Sequence, residues 1–374
     1  METCGVLIVG GGPAGSSCAK RLVAAGKDVI VLDKSPFPRD KVCAGWITPA
    51  VVEALALDLN DYRKSRVCQD IRAFHTGAMQ GPYLHHQYDH TVSYGIRRCE
   101  FDDYLLRRSG ARLKLNEPLQ QLQRRDTHWI INGSIEAAMV VGAGGHFCPV
   151  ARYLGARVGK TERAVAAQEI EFEMTPQQAA ECPVQADTPE LFFYPDLSGY
   201  GWLFRKGNFL NIGVGREDTG KISQCATDFV ALFKQQGKIP RDAPEKLKGH
   251  AYLLYSHAVR QRVSDGVLLI GDAAGLAYTE SGEGIRPAVE SGLMAADVVL
   301  DANGDYREHN LQPYLDRLIT RFGAVQTPNS WFPAHIKRAL ARQVLSNRFL
   351  SRHILLDRFF LHINEPPAPL KKAS

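Results

Sequence analysis

The chain has 374 residues, 45% of them hydrophobic, enough to bury a large core in one or two closely joined domains. Its formal charge of +5 is mild, and no basic, aromatic-lined module of the kind that binds nucleic acid stands out. Eight scattered cysteines without a Cys-x-x-Cys pair argue for reduced thiols in a cytoplasmic setting, against a disulfide framework or a structural zinc site.

The first predicted element is an apolar strand, Val6 to Val9, running into a glycine turn that carries Gly10, Gly12, Pro13, Ala14 and Gly15. A helix, Ser16 to Ala25, and a second strand, Val29 to Leu32, follow, with Asp33 at the end and Lys34 behind it. Together they form a β-α-β unit with its acid in place, the arrangement that binds a dinucleotide. Gly10 permits the tight turn, Gly12 lets backbone approach a pyrophosphate, and Gly15 lets helix and strand pack closely. The helix start offers free N–H groups and partial positive charge to phosphates, and Asp33 stands where a carboxylate takes ribose hydroxyls. Because that strand begins at Val6, the expectation is that no leader peptide precedes it; no apolar run reaches the length of a membrane span.

From 65 to 95 the chain is mixed and polar, and His85, His86 and His90 read as a solvated or cavity-wall loop without the carboxylate partners of a metal site. Residues 98 to 155 return to the nucleotide-binding domain through Arg98, an apolar-Asp helix and short strands such as Trp129–Ile131. Between about 160 and 260 the period changes to two: Glu169–Met174, Leu191–Tyr194, Gly201–Phe204 and Phe209–Val214 predict an antiparallel meander. Its inner face is expected to form the far wall of a substrate cavity. Val267–Ile270 is a further apolar strand, ending in Gly271 and Asp272, where a carboxylate suits the ribityl chain of a flavin. Gly282, Gly284 and Ile285 open an apolar helix whose first amides suit the flavin pyrimidine ring, with Arg286 beside them as a candidate for reduced flavin or an acidic head group. In the tail, apolar residues from Trp331 to Phe360 recur at helical intervals among Lys337, Arg338, Arg342, Arg348, Arg352 and Arg358. Such a basic amphipathic stretch either packs on the domain or lies in a membrane interface.

The glycine turn paired with the distant Gly271-Asp272 segment resembles the two FAD-binding halves of the para-hydroxybenzoate hydroxylase-like superfamily. Arg98 with its apolar-Asp helix, and Gly142–Gly145 where that superfamily carries Gly-Ala-Asp-Gly, add to the likeness. Within it, Pro38, Arg39, Lys41, Cys43, Ala44 and Gly45 resemble the Pro-Arg-x-Lys-x-Cys-Gly-Gly stretch of the geranylgeranyl reductase family. Tyr200-Gly-Trp202-Leu-Phe-Arg-Lys-Gly207 resembles that family's substrate-cavity motif, and Thr279–Ile285 its Thr-Gly-Glu-Gly-Ile region with Glu280-Ser281 added. Gly144, Ala44 and Arg205 depart from these patterns.

The resemblance implies a Rossmann-like α/β FAD-binding domain built from 1–160 and 261–330, an inserted antiparallel-sheet domain over 161–260, and a helical tail over 331–374. It implies FAD as cofactor and reduction of carbon–carbon double bonds in an isoprenoid or other hydrophobic or lipid substrate. Cys43 then lies near the flavin as a proton relay, and Tyr200 and Trp202 shape the cavity. Only one dinucleotide unit is visible, so NADPH or another external donor docks transiently. Two alternatives remain open: a flavin-dependent hydroxylase or halogenase on the same fold, and a flavin-binding or electron-transfer protein without turnover. Gly144 and the absence of a Trp-x-Trp-x-Ile-Pro signature stand against the first. For the tail, packing over the cavity is favoured, with peripheral contact with the inner face of a membrane as the alternative.

Overall fold

The central strand Glu2–Val9 is apolar because both its faces are covered: Val6, Leu7 and Ile8 are fully buried. The computed structural model describes residues 1–157, 162–217, 219–325, 334–365, 368 and 370–371. Around that strand runs a parallel sheet in the order Val267–Leu269, Ile135–Gly142, Glu2–Val9, Val29–Asp33, Arg112–Leu115. The hairpin of Leu122–Arg125 and His128–Ile131 extends it antiparallel. Helices Pro13–Ala24 and Ile285–Asp301 pack on each other over one face. They approach so closely that a Cβ at Gly292 would stand 2.3 Å from the Ala14 carbonyl oxygen, which leaves no room for a side chain there. This is the expected Rossmann-like domain, assembled from the two ends of the chain.

The second sheet has seven strands, in the order Lys248–Leu253, Ala164–Glu173, Phe209–Arg216, Gly199–Lys206, Glu190–Phe193, Ala73–Ala78, Tyr83–Gln87. The meander of Glu190–Phe193, Gly199–Lys206 and Phe209–Arg216 is present in antiparallel register, Trp202 facing Gly213. Side chains alternate strictly. Leu203, Leu210, Ile212 and Val214 face helix Ile222–Gln235 with its Phe229 and Phe233, while Trp202 and Phe204 face the opposite way. One expectation is corrected here. The 65–95 stretch is not a loop: Ala73–Ala78 and Tyr83–Gln87 form a hairpin that joins this sheet, by a parallel pairing with Glu190–Phe193. His86 is buried and shares a hydrogen bond with Thr76 at 3.0 Å, and among the described residues no His, Cys, Asp or Glu cluster has the geometry for a metal ion.

The tail is two helices rather than one. Ala334–Ser346 ends at Asn347, whose side chain accepts the Phe349 and Leu350 amides and starts a new turn. The chain then continues as Ser351–Phe360 in wide i→i+5 turns. This second segment packs onto the second sheet, burying Leu355, Leu356 and Phe360 beside Trp46, Phe74 and Trp202. Trp331, Phe332 and the side chains of Ile336, Lys337 and Arg338 lie outside the described residues. No helix among the described residues is long and apolar enough to cross a membrane.

Candidate active site

A single cavity of about 580 Å³ runs from the glycine turn, past the segment Arg39–Trp46, to the aromatic face of the second sheet. Gly10, Gly12, Pro13 and Ala14 form one end of its wall, with Asp33 and Lys34 beside them. Gly10 has φ +115°, open to glycine alone, and a Cβ there would stand 2.4 Å from the Ala143 carbonyl oxygen. Gly15 lies behind the wall: its missing Cβ leaves room for the Gly10 carbonyl, which would otherwise be 1.9 Å away. At Gly12 the nearest atom to an added Cβ among the described residues, adjoining backbone aside, is Arg39 Nη2 at 3.5 Å, so that glycine faces open space with a guanidinium across it. Asp33 accepts the Gly11 amide at 2.8 Å through Oδ2 and the Ser35 amide at 2.9 Å through Oδ1, which fixes the carboxylate at the cavity edge.

Arg39, Cys43, Ala44, Gly45 and Arg98 line the middle of the cavity. Arg98 is buried and donates two bonds to Asp102, at 2.8 and 2.9 Å. Burial works against its charge, but Asp102 and the Cys43 side chain more than restore it, holding the guanidinium above its ordinary value. Gly45 adopts φ +73° with the Ile96 carbonyl oxygen and Lys206 Nζ where a Cβ would sit. Lys206, from the Tyr-x-Trp strand, is fully buried, pairs with Glu171 at 2.5 Å and donates to the Ala44 and Ile96 carbonyls at 3.0 Å each.

Asp272 faces the cavity with Gly282, Gly284 and Ile285, the last opening helix Ile285–Asp301. Gly271 does not line the cavity; its amide donates to Ser291 Oγ at 3.0 Å and its φ of +58° turns the strand toward Asp272. Burial alone would raise the Asp272 carboxyl, but His250 and Lys41 hold it down at about 2. Lys41 itself is pushed down to about 8, chiefly by desolvation, with Asp272 acting the other way. His250 Nε2 is buried, 3.6 Å from Asp272 Oδ2, and has no hydrogen-bond partner among the described residues.

Trp46, Ala167, Tyr200, Trp202 and Tyr252 close the far end. Tyr200 donates its hydroxyl to the Ser281 carbonyl at 2.7 Å, so the extra Glu280-Ser281 is used to tie the Thr279–Gly284 loop to the second sheet. Cys43 is held from below: its amide donates to Glu169 Oε2 at 2.7 Å and its carbonyl accepts Asn211 Nδ2 at 3.2 Å. Burial pushes the Glu169 carboxyl up to about 7, with Lys206 opposing.

The structure thus brings onto one cavity all the expected residues except Gly15 and Gly271, which shape it from behind, and Arg286. Arg286 is a correction. It is buried away from the cavity, donates to Glu290 at 2.8 Å and pairs with Glu365 at 3.2 Å, so it ties the helix to the tail. Trp46, Glu169, Asn211, His250 and Tyr252 were not foreseen, and Lys41 was quoted only within a motif. For Asn211 a signal existed: it lies across the hairpin from the Tyr-x-Trp strand, where glycines 213 and 215 leave room for the Trp202 ring.

These residues fit FAD: a phosphate cradle that a side chain at Gly12 would fill, an acid at each end, an orphaned buried His250 nitrogen and a helix start lie along one slot. Residues 8–42 match the family model of an NAD(P)-binding Rossmann-like domain. A chloroplastic geranylgeranyl diphosphate reductase of Oryza sativa subsp. japonica is 30% identical over 346 residues, covering 84% of this chain and 71% of that one. A menaquinone reductase of Mycobacterium tuberculosis is 29% identical over 333 residues, covering 80% and 77%. Among solved structures, a geranylgeranyl bacteriochlorophyll reductase-like protein of Thermoplasma acidophilum superposes with a TM-score of 0.74 at 20% identity, covering 92% of this chain and 88% of its own. A point mutant of the halogenase PltM in complex with FAD gives 0.68 at 17%, covering 93% and 78%.

Proposed function

The chain belongs to the geranylgeranyl reductase family of FAD-dependent oxidoreductases, and from that premise we propose that it reduces carbon–carbon double bonds of an isoprenoid-bearing lipid or lipid precursor. The observation that carries this reading is the continuity of the cavity: the cofactor slot opens directly onto Trp46, Tyr200, Trp202 and Tyr252, with Cys43 at the junction.

Reduced FAD, when bound, supplies the hydride. The chain's residues do the rest. The turn Gly10–Gly15 and Arg39 hold the phosphates, Asp33 the adenosine ribose, and Asp272 the ribityl chain. The start of helix Ile285–Asp301 favours negative charge, and there the Glu283 carboxylate takes the Arg286 amide at 2.9 Å. An isolated alkene offers no polar handle, so the apolar wall works by positioning the double bond and excluding water. Cys43 gives a proton from Sγ to the second alkene carbon, and Arg98 orients that thiol. Tyr200 and Trp202 commit their polar atoms to Ser281 and Asn211 and act as wall, not as proton donors. With one dinucleotide-binding unit among the described residues, NADPH or another donor docks transiently. The exposed Leu340, Phe349, Arg342 and Arg348 give the protein a face that rests on a membrane of anionic lipid from the cytoplasmic side.

The test is mass spectrometry of isoprenoid lipids after anaerobic incubation with the dithionite-reduced holoenzyme, beside an aerobic sample with NADPH. Products heavier by pairs of hydrogens are expected. Products heavier by oxygen, formed only in air, would overturn the reading in favour of a hydroxylase.

A further inference from the structure

The cavity must hold both the flavin dinucleotide and the substrate chain. A volume of about 580 Å³ is of the order that one drug-sized ligand fills, and a flavin dinucleotide alone is a ligand of that class. An isoprenoid chain lying beyond the flavin must press against the far wall, made by Trp46 and Tyr200.

Directly behind that wall stands one residue of the tail. The Phe360 ring is completely buried, with its centroid 5.3 Å from that of Tyr200, 5.8 Å from Trp46 and 6.2 Å from Phe193. It belongs to the same apolar cluster as Trp46, Trp202 and Leu356, so no polar layer separates it from the cavity's aromatic end. Its segment is firmly held. Ser351 Oγ lies 2.8 Å from Thr76 Oγ1, Tyr88 donates to Asp357 at 2.7 Å, and Arg352 donates to the Gln87 carbonyl at 2.6 Å. Phe360 is thus a bulky side chain on a fixed strut, backing the two rings that an incoming chain meets.

We propose that Phe360 sets the length of isoprenoid chain that the cavity accepts, by fixing how far Trp46 and Tyr200 can yield. The proposal rests on the isoprenoid-reductase reading above. Removing the ring leaves a void on the far side of the wall, into which the two aromatic side chains can move, whereas a larger ring pushes them inward.

The experiment compares the wild-type holoenzyme with F360A, F360L and F360W on geranyl, farnesyl and geranylgeranyl diphosphates and one longer polyprenyl diphosphate. For F360A and F360L we expect kcat/KM to shift toward the longer chains by about tenfold relative to the shorter ones, carried mainly by KM; F360W should shift it the other way. Binding is read separately, from the change in flavin absorbance on titration with the saturated analogues, and the same shift is expected there. F360L keeps the test decisive if F360A fails to fold. Length profiles in F360L and F360W that match the wild type in both readouts would overturn the proposal. A shift in binding without reduction of any of these substrates would support the role of Phe360 while overturning the reductase reading.

Discussion

Trp202 Nε1 donates to Asn211 Oδ1 at 2.7 Å, and the amide nitrogen of the same Asn211 donates to the Cys43 carbonyl at 3.2 Å. One buried side chain therefore links the aromatic wall of the cavity to the thiol segment beside the cofactor slot. It also bridges Glu169 and Glu171, each 3.3 Å from Nδ2.

Replacing Asn211 by Leu would strand the buried Trp202 N–H and release Cys43, at a cost of about 1–3 kcal/mol for the unpaired donor. We expect kcat to fall at least tenfold in N211L while FAD affinity changes less than threefold, because the phosphate and ribose contacts lie elsewhere. Steady-state kinetics and a flavin fluorescence titration separate the two. Equal losses in both would show that Asn211 merely holds the fold.

Asp33 is the reciprocal case. Its carboxylate fixes two backbone amides at the edge of the cavity and is proposed to take the ribose, so D33A is predicted to weaken FAD binding by ten- to a hundredfold, the range of charge-assisted hydrogen bonds. Once saturated with FAD, the variant should turn over near the wild-type rate. A titration showing unchanged affinity would remove Asp33 from the cofactor site.

If the Cys43 thiol donates the proton, C43A should lose about two orders of magnitude in kcat with little change in KM, in the range of general acid catalysis. A thiol that only fills space would cost less than threefold. Tyr252, whose phenol also faces the cavity, is the group to replace next in that event.

Glu169 gives a pH prediction with a definite sign. Its carboxyl titrates at about 7 in the folded chain against 4.5 as its ordinary value, chiefly through burial. The folded chain therefore holds a proton that the unfolded chain releases across that window. Stability from this group is present below pH 4.5 and falls as the pH rises to 7, by up to about 3 kcal/mol. E169Q, which still offers an oxygen to the Cys43 amide, should flatten that fall in urea unfolding measured across the window. A wild-type profile with no fall there would refute it.

Flotation with vesicles tests the tail. Wild-type protein should rise with vesicles of anionic lipid and stay behind with neutral ones, and the triple variant R342E/R348E/F349S should stay behind with both. Binding indifferent to lipid charge and to these substitutions would exclude this surface.

The cofactor half of the site was legible because a glycine turn, an acid and a helix start are local patterns: Gly10 to Asp33 and Gly271 to Ile285 each encode their geometry within a few turns of chain. What stayed hidden was non-local. Ala73–Ala78 and Tyr83–Gln87 read as loop because polar His75, His85 and Gln87 mask the alternation, and their partner strand lies more than a hundred residues away. Arg286 misled for a related reason. An arginine after a glycine-rich helix start suits an anion, but here Glu290 one turn on and Glu365 from the tail claim it first. Lys206 was quoted within a motif, yet only the fold shows its ammonium anchoring the Ala44–Gly45 backbone.

The close crossing of Gly292 on Ala14 has a consequence for biosynthesis. The turn Gly10–Gly15 is made well before Asp272 and the covering helix Ile285–Asp301, which follow it by more than 250 residues. Until that helix is made, Ala14 and Cys18 lack their partner at this crossing. The cavity, lined from both segments, is therefore completed only once the later one is in place, and scarcity of the cofactor would be felt as a late folding defect.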